Sequence, residues 1–552
     1  MEKAISGLTV SSMAKVYADA AGLEEERKNS MLSDERFHFQ LALKNETGGT
    51  LRRVRVECSG DLKEFLSLRL VRDVPCTIAF QGEGDDYYER TAPGLFPDVL
   101  LPWDGSGLVL PVGLWKSVWI TAEGGEKGLP VGKHEIGLKV SDMNGETLGE
   151  YSYLLEVCPG RLAENDYIVT HWMHYDAIEA QHGVKPFSDA FYDVFAEYLK
   201  VYVRAGNTML LTPLFTPPLD TEPGGERRTA QLVGVKAEGG KYAFDFSALD
   251  KFMDFAAAHG IKYFEFSHLF TQWGGEFCPK IMAEKEGKET QIFGWETGAD
   301  SEEYRAFLGE FLPRLTAFVR EKGIEERCFV HLTDEPGAQH IGQYLRCRDI
   351  VKAHIGKMRT MDALSEYEFY EKGAVDMPVV YTPGANTFLE HGVSDILLYY
   401  CCQPGNGYYS NRFLGMPSQR NRIWGIQLYL SGARGFLHWG FDFYNSGLSL
   451  FEIDPYEDTN GGGFFPGGDS FMVYPVKADK GGKGRDGAIP SLRCEVFYDG
   501  MQDCLALRAL EEKRGRAFVL DMLREEGVEG LNVYPRSAAW HRAFREKVNR
   551  LL

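Results

Sequence analysis

The sequence predicts a multidomain protein in which an N-terminal all-β sandwich is followed by a (β/α)8 TIM-like barrel with C-terminal helices. Short segments of alternating apolar and polar residues dominate the first 160 positions, and strand-like apolar runs then alternate with helical stretches. The chain has 552 residues, which is too long for one ordinary domain. We therefore expect a β-sandwich over 1–160, a barrel domain over 161–512 and a helical extension over 513–552.

The N-terminal region contains four segments that alternate as half-buried strands do, namely 37–43, 51–56, 131–140 and 151–157. Turn-forming residues at 45–49 and 142–145 separate strands, and the last two segments predict a hairpin. Repeated short strands with such turns are typical of a β-sandwich. Cys158-Pro159-Gly160 is the expected linker, because proline and glycine interrupt regular structure.

Eight apolar runs from about Tyr167 onward predict the strands of a parallel barrel: 167–171, 207–212, 261–266, 327–333, 357–362, 378–382, 395–400 and 435–439. Helical spacing predicts helices over 188–203, 248–258 and 302–319, and residues 491–552 are expected to be helical. A doubly wound open sheet is the alternative, but the strand count and the lack of a Gly-rich phosphate turn disfavour it. The segment 214–245 is expected to cover the cleft.

The composition of the chain indicates which classes of molecule the protein is expected to bind. A formal net charge of −20 disfavours nucleic acids and anionic membrane surfaces. The ten cysteines include no C-x-x-C pair, so we expect no metal, no cofactor and no disulfide framework. Reduced cysteines, without a recognisable signal peptide or membrane span, favour a cytoplasmic location. A carbohydrate substrate suits this composition, and a homo-oligomer is left open.

Asp334 and Glu335 are adjacent carboxylates at the end of a predicted buried strand, since Pro336 cannot continue the ladder. In a parallel barrel, the carboxyl ends of the strands form the active-site face. Two adjacent carboxylates repel each other, so their pKa values should separate. One neutral acid beside one carboxylate is the combination that a glycosidase uses. The structural alternative is a helix N-cap.

Aromatic, histidine and acidic residues collect at the other strand ends, as a sugar site requires. The predicted substrate-binding residues of this kind are His171, Trp172, His174, Glu265, His268, Trp273, Asp362, Tyr381, Tyr400 and Trp439. Singly, each histidine is more typical of a structural residue, and each tryptophan of barrel packing. The spacing of His171, His174 and Asp176 matches no common zinc motif. Their joint placement makes Asp334 and Glu335 candidate catalytic residues.

Several segments resemble the catalytic domain of glycoside hydrolase family 123. They are HWMHYD (171–176), LTPLFTPPLDT (211–221), SHLFTQWG (267–274), TDEP (333–336), GFLHWG (435–440) and GGDSFMVYP (467–475), followed by 491–493 and 499–503. The resemblance covers roughly residues 160–512 in order, which is far more specific than one short motif. The β-rich N-terminal region is similar to the sandwich that precedes this domain in the family.

The resemblance implies an exo-acting β-N-acetylgalactosaminidase that retains configuration, with Asp334 and Glu335 as the catalytic pair and Asp469 as a further substrate-binding residue. It implies substrate-assisted catalysis, in which the 2-acetamido oxygen attacks and an oxazolinium ion forms. Glu335 is then the general acid and base, and Asp334 orients the acetamido group and stabilises the cation.

Three other interpretations stay open from the sequence. The barrel could hydrolyse a different 2-acetamido sugar, as a β-hexosaminidase does, or it could be an inactive carbohydrate-binding barrel. A conventional two-carboxylate glycosidase would pair Glu335 with Glu265 or Asp362. The expected substrate is a glycan or a glycolipid-derived sugar.

Overall fold

The computed structural model describes residues 4–364, 366–478 and 484–552, and its N-terminal part is an all-β domain of two five-stranded sheets. One sheet has the order β1-β3-β8-β5-β6 and the other β2-β10-β9-β4-β7. The strands are β1 (Ile5–Ser11), β2 (Lys28–Leu32), β3 (Arg36–Asn45), β4 (Leu51–Ser59), β5 (Leu66–Cys76), β6 (Gly94–Trp103), β7 (Leu108–Leu110), β8 (Trp115–Glu123), β9 (Gly132–Ser141) and β10 (Thr147–Cys158).

A shared apolar core joins the two sheets into a sandwich. Phe39 and Ile120 from one sheet pack with Val56, Ile136 and Tyr153 from the other. The rings of Phe39 and Tyr153 stack with their centroids 4.1 Å apart. Antiparallel pairing of β9 with β10 confirms the predicted hairpin, and the alternating inward residues explain why the sequence signal was clear.

The second part of the chain contains strands β11 to β24 and twelve α-helices among the described residues. The strands are β11 (Ile168–His171), β12 (Met209–Thr212), β13 (Gly234–Glu238), β14 (Lys241–Asp245), β15 (Tyr263–Phe266), β16 (Ile281–Lys285), β17 (Lys288–Phe293), β18 (Cys328–His331), β19 (Arg359–Leu364), β20 (Met377–Tyr381), β21 (Leu397–Tyr399), β22 (Gly435–His438), β23 (Val473–Val476) and β24 (Gly487–Pro490). The helices are α1 (Tyr175–His182), α2 (Asp189–Arg204), α3 (Ser247–Ala258), α4 (Glu302–Glu321), α5 (Ile341–Lys352), α6 (Tyr367–Glu371), α7 (Ala385–Glu390), α8 (Ser418–Arg422), α9 (Trp424–Ser431), α10 (Leu492–Arg514), α11 (Arg516–Glu525) and α12 (Ala538–Leu551).

Eight of these strands form a parallel, nearly closed barrel with the order β11-β22-β21-β20-β19-β18-β15-β12, and helices lie between them in sequence. The gap between β11 and β12 is bridged at its base, where the Thr208 N–H donates to the Val169 carbonyl over 2.9 Å. The arrangement is not the open doubly wound alternative. A strict (β/α)8 topology stays a prediction.

Residue parity along each barrel strand decides which side chains can reach the interior. On β15, Tyr263 faces the barrel interior and Phe264 faces the helices, and on β18 Phe329 faces inward and Val330 outward. Because side chains alternate with a period of two, Glu265 and His331 fall on the inward side. The same rule places His171 and His438 on the outer side of β11 and β22.

The predicted cleft-covering segment 214–245 has more order than the sequence suggested. Its end forms the hairpin β13–β14, which joins β16 and β17 in a separate four-stranded sheet. The sequence analysis missed both hairpins, because their strands are short and polar and the pairing of β13 with β16 joins distant parts of the chain.

The C-terminal helices connect the barrel to the sandwich, as the buried ion pair between Arg493 of α10 and Asp98 of β6 shows, with nitrogen and oxygen 2.9 Å apart. On α12, the Asn549 amide donates to the Ser30 hydroxyl of β2 over 3.0 Å. Helix α10 runs through the predicted boundary at residue 512, and the domain limits stay predictions. Among the described residues, every helix is too short or too polar to span a lipid bilayer.

Candidate active site

A cavity of about 270 Å³ opens at the carboxyl ends of the barrel strands. Its walls hold three carboxylic residues, Asp220, Asp334 and Glu335, together with the amide of Gln272. Aromatic side chains and two thiols form most of the rest: Trp172, Trp273, Tyr399, Trp439, Phe465, Cys401 and Cys402. A larger open groove of about 1170 Å³ crosses the β-sandwich, but it lies away from the strand ends where barrel chemistry is built.

The Asp334–Glu335 pair follows β18 directly and is held in a strained turn. Glu335 has a φ of 45°, which non-glycine residues rarely adopt, and its N–H donates to the Ala363 carbonyl over 3.1 Å. The Asp334 carbonyl accepts a hydrogen bond of 2.7 Å from the N–H of Trp273, whose own φ is 59°. Left-handed non-glycine residues cluster at functional sites, where surrounding contacts maintain them. Both turns therefore preorganise side chains at the cavity.

Burial in the cavity wall raises the pKa values of both catalytic candidates. The pKa of Asp334 lies well above its ordinary range because of burial and the neighbouring charge of Glu335. Burial also raises the pKa of Glu335, although the Tyr399 hydroxyl, which donates to Glu335 Oε1 over 2.9 Å, opposes that shift. Both carboxyl groups therefore hold a proton more tightly than free carboxyl groups do, which suits a general acid.

Beneath the pair lies a fully buried group formed by Glu265, His331 and Asp362, which we call the lower cluster. His331 Nε2 lies 2.5 Å from Glu265 Oε1, and His331 Nδ1 lies 3.5 Å from Asp362 Oδ1. These two carboxylates outweigh burial and raise the pKa of His331 to about 10, so it is an imidazolium at neutral pH.

Neutral donors complete the lower cluster. The Trp172 indole donates to Glu265 over 2.7 Å, and the Thr333 N–H donates to Asp362 Oδ2 over 2.9 Å. The first bond fixes the orientation of the Trp172 ring, which lines the cavity. The second anchors the backbone at Thr333, immediately before Asp334. The lower cluster therefore supports the site, with one imidazolium between two buried acidic side chains.

His268, His331 and Asp362 form, among the described residues, the group of three side chains whose donor atoms lie within 4.8 Å of one another and could hold a metal ion. His268 stacks on His331 with ring centroids 4.3 Å apart, and burial lowers its pKa well below the ordinary value. A metal here would have to displace the proton of His331, which both carboxylates stabilise. We therefore interpret the group as an ion-paired cluster.

A second buried group positions Trp439 in the cavity wall. The Trp439 indole donates to Asp469 Oδ2 over 3.1 Å, and Asp469 Oδ1 lies 3.2 Å from His438 Nε2. Burial raises the pKa of Asp469 to about 7. His174 Nε2 donates to the Trp439 carbonyl over 2.9 Å, while Arg227 donates to His174 Nδ1. Asp469 and His174 thus hold Trp439 in place, and Trp439 in turn lines the cavity.

The structure separates the predicted site residues into two sets. Those that line the cavity are Asp334, Glu335, Trp172, Trp273 and Trp439. Those that lie behind its wall are His171, His174, Glu265, His268, Asp362, Tyr400 and Asp469, all buried, while Tyr381 is half-buried beside Tyr399. His171 and Tyr400 pack against Phe436 on the outer side of the barrel, as their strand parity dictates.

Asp220 is the main residue that the sequence analysis missed. It belongs to the 214–245 segment, has a φ of 39° and lines the cavity. Its N–H donates to Gln272 Oε1 over 2.6 Å, and its Oδ2 accepts the Leu448 N–H over 2.9 Å. Burial raises its pKa to about 6. The only sequence signal was its place within the LTPLFTPPLDT segment.

Comparison with family models matches residues 172–510 to the description "Glycoside hydrolase 123, catalytic domain". The chain belongs to glycoside hydrolase family 123. The match covers seven of the eight barrel strands (all but β11), the Asp334–Glu335 turn and most of α10, so the resemblance predicted from the sequence is confirmed.

Solved structures place this family 123 chain in the same fold as a family 123 glycoside hydrolase from Clostridium perfringens, described for glycolipid glycan hydrolysis. The two share 15% sequence identity with a TM-score of 0.72, over 99% of this chain and 97% of that one. A family 2 glycosyl hydrolase from Bacteroides cellulosilyticus (10% identity, 80% and 47% coverage, TM-score 0.28) and an endo-β-1,4-mannanase from Thermotoga petrophila (12% identity, 62% and 77% coverage, TM-score 0.35) are too distant to inform the site. A search of curated proteins found no match.

Proposed function

We propose that this glycoside hydrolase is a retaining exo-β-N-acetylgalactosaminidase that removes terminal β-linked N-acetylgalactosamine by a substrate-assisted mechanism. The observation that carries the proposal is that Asp334 and Glu335, consecutive in the chain, both line the cavity with raised pKa values. The natural substrate we propose is a glycan or glycolipid-derived sugar, the class named for the Clostridium perfringens protein.

Cavity size favours removal of single sugars. Its volume of about 270 Å³ lies below the range of about 300–1,000 Å³ that is typical of drug-sized ligands. Trp172 and Trp439 offer flat apolar surfaces to a pyranose ring, and the segment carrying Leu219 and Asp220 covers one side. This shape fits one terminal residue better than an extended chain.

In the proposed mechanism, Glu335 donates its proton to the glycosidic oxygen while the acetamido oxygen of the substrate attacks C1. Asp334 is the carboxylate of the pair while Glu335 holds the proton; it accepts a hydrogen bond from the acetamido N–H and stabilises the oxazolinium cation as it forms. Glu335, now a carboxylate that also accepts the Tyr399 hydroxyl, removes a proton from the incoming water. Attack of that water at C1 opens the oxazolinium with overall retention.

The conventional pairing of Glu335 with Glu265 or Asp362 has little support, because both of those carboxylates are buried beside His331. Asp220 is a third carboxylic residue in the same cavity and provides a second candidate mechanism. If Asp220 were a nucleophile, the enzyme would follow the two-carboxylate scheme. Otherwise we expect it to accept a hydrogen bond from a sugar hydroxyl.

Aryl β-glycosides of N-acetylgalactosamine, N-acetylglucosamine and galactose test the specificity. We expect the highest kcat/KM for the N-acetylgalactosaminide. A preference for the N-acetylglucosaminide would indicate a hydrolase of another acetamido sugar. Failure to hydrolyse all three would indicate a carbohydrate-binding barrel without activity. A 2-fluoro sugar tests the mechanism. Mass spectrometry that finds a covalent adduct on Asp220 or another carboxylate would refute substrate assistance.

A further inference from the structure

Cys401 and Cys402 are consecutive cysteines that both line the candidate catalytic cavity. Their sulfur atoms lie 3.8 Å apart and both residues are half-buried. Seven of the other eight cysteines are buried, and the eighth, Cys58, is on β4 of the N-terminal domain. The cavity therefore presents two thiols together, which the glycosidase mechanism does not use.

We propose that Cys401 and Cys402 form a chelating dithiol site for a soft divalent metal ion, and that the bound ion blocks the sugar-binding cavity. Two metal–sulfur bonds of about 2.3 Å at a tetrahedral angle of about 109° span about 3.8 Å. The observed sulfur separation has this value. Binding replaces two S–H bonds with two metal–sulfur bonds and releases two protons to solvent.

The backbone around the pair keeps the thiols in place. The Cys401 N–H donates to the Gln403 carbonyl over 2.8 Å, and the buried Asn411 amide donates to the Cys401 carbonyl over 2.9 Å. Consecutive Cα atoms are about 3.8 Å apart across a trans peptide, less than the roughly 4.4–6.8 Å usual for disulfides. A bond between the two sulfurs would be strained, so the dithiol form is favoured.

The charge of the cavity attracts a cation. Asp220, Asp334 and Glu335 line the same walls as the two thiols, so a bound cation would lie beside acidic groups. Among the described residues, no third histidine, cysteine or acidic side chain completes a ligand group with the two sulfurs. We therefore expect a reversible two-thiolate chelate.

Cadmium is the probe, because its bonds to thiolates absorb in the ultraviolet. The wild-type chain should bind one Cd²⁺ with this absorption. Cys401→Ser and Cys402→Ser should each weaken the binding at least about tenfold, whereas Cys58→Ser should leave it unchanged. Absorption that persists in either cavity variant at the wild-type Cd²⁺ concentration would overturn the proposal.

A second measurement uses only the wild-type chain and so does not depend on how the variants fold. Bound Cd²⁺ should protect Cys401 and Cys402 from iodoacetamide in peptide mass spectrometry, while Cys58 is alkylated as before. Equal alkylation with and without Cd²⁺ would contradict the site.

Inhibition, unlike binding, rests on the proposed glycosidase function. Cd²⁺ should raise KM for an aryl N-acetylgalactosaminide, EDTA should restore it, and each cavity variant should need at least about ten times more Cd²⁺ relative to its own uninhibited rate. If Cd²⁺ binds the two thiols but KM stays constant, the blocking role is wrong. A chain that binds Cd²⁺ and hydrolyses no glycoside would contradict the proposed function and leave the dithiol site supported.

Discussion

The barrel mouth holds two layers of acidic residues that differ in what neutralises them. In the lower cluster, Glu265 and Asp362 flank the imidazolium of His331. In the layer above, Asp334 and Glu335 face the cavity, and the hydrogen bond to Glu335 comes from the neutral hydroxyl of Tyr399. The same residue type thus contacts a cation in one layer and is a candidate proton donor in the other.

The difference shows how the environment assigns roles to chemically similar groups. In the lower cluster burial raises the pKa of Asp362 and the His331 imidazolium opposes that shift, whereas the pKa of Asp334 is raised by burial and again by the neighbouring charge of Glu335. Raised pKa values in a cleft are a functional signal, and the ion pairs below supply rigidity. Four substitutions test this division.

Glu335→Gln should have the largest effect, because it removes the proposed proton donor. We expect kcat/KM to fall about 10²- to 10⁴-fold for glycosides with poor leaving groups, and much less for activated aryl glycosides. Because the acid form of Glu335 is the active one, the wild-type rate should fall as pH rises through its raised pKa. The variant should lack that alkaline limb. Equal losses for all leaving groups would argue against general acid catalysis by Glu335.

His331→Gln tests the lower layer and should act on stability. Removing one partner of a buried ion pair typically costs about 3–5 kcal/mol, since the remaining charges lose their compensation. His331 has a folded-state pKa raised from 6.5 to about 10, so its stabilisation is complete below about pH 6.5 and is lost as pH rises towards 10.

Denaturant titrations of His331→Gln and wild type at several pH values measure this contribution. The exposed His391 provides the control, and His391→Gln should change the unfolding free energy by about 0.5 kcal/mol or less. If the difference in unfolding free energy between wild type and His331→Gln stays constant from pH 6.5 to 10, the assignment of an imidazolium is wrong.

Asp334→Asn keeps the shape of the side chain but removes its charge. Loss of one electrostatic stabiliser of this kind costs about 10²- to 10³-fold in rate. The loss should appear with acetamido sugars and leave the slow background hydrolysis of plain galactosides unchanged, because those lack the group that Asp334 orients. Equal losses on both substrates would remove the basis for substrate assistance.

Asp220→Asn should have the smallest effect if Asp220 accepts a hydrogen bond from a sugar hydroxyl. A hydrogen bond to a charged group contributes about 1.5–3 kcal/mol, so kcat/KM should fall about 10- to 100-fold. Glu222→Gln, an exposed substitution in the same segment, is the matched control. A loss as large as that of Glu335→Gln, with formation of a trapped adduct in the wild type, would assign Asp220 as a nucleophile.

Local patterns in the sequence were sufficient for the eight barrel strands and for the Asp334–Glu335 turn. The run Cys328–His331 is apolar enough to be buried, and Pro336 ends it, so the position of Asp334 and Glu335 at a strand end follows from nearest neighbours alone. The family resemblance over the barrel was equally readable, because its motifs lie in short contiguous segments.

Only the tertiary structure decided which side chains meet. His331 becomes an imidazolium because β15 and β19 bring Glu265 and Asp362 to it from 66 residues before and 31 residues after. Asp220 reaches the cavity because Gln272 and Leu448, distant in sequence, hold its strained turn. The spacing of apolar residues along the chain predicts which residues are buried, and this signal is local. Which distant side chains meet depends instead on how the barrel closes and on which side of its strand each residue lies. For that reason the sequence determined the candidate catalytic pair, and the fold determined the charges and contacts that surround it.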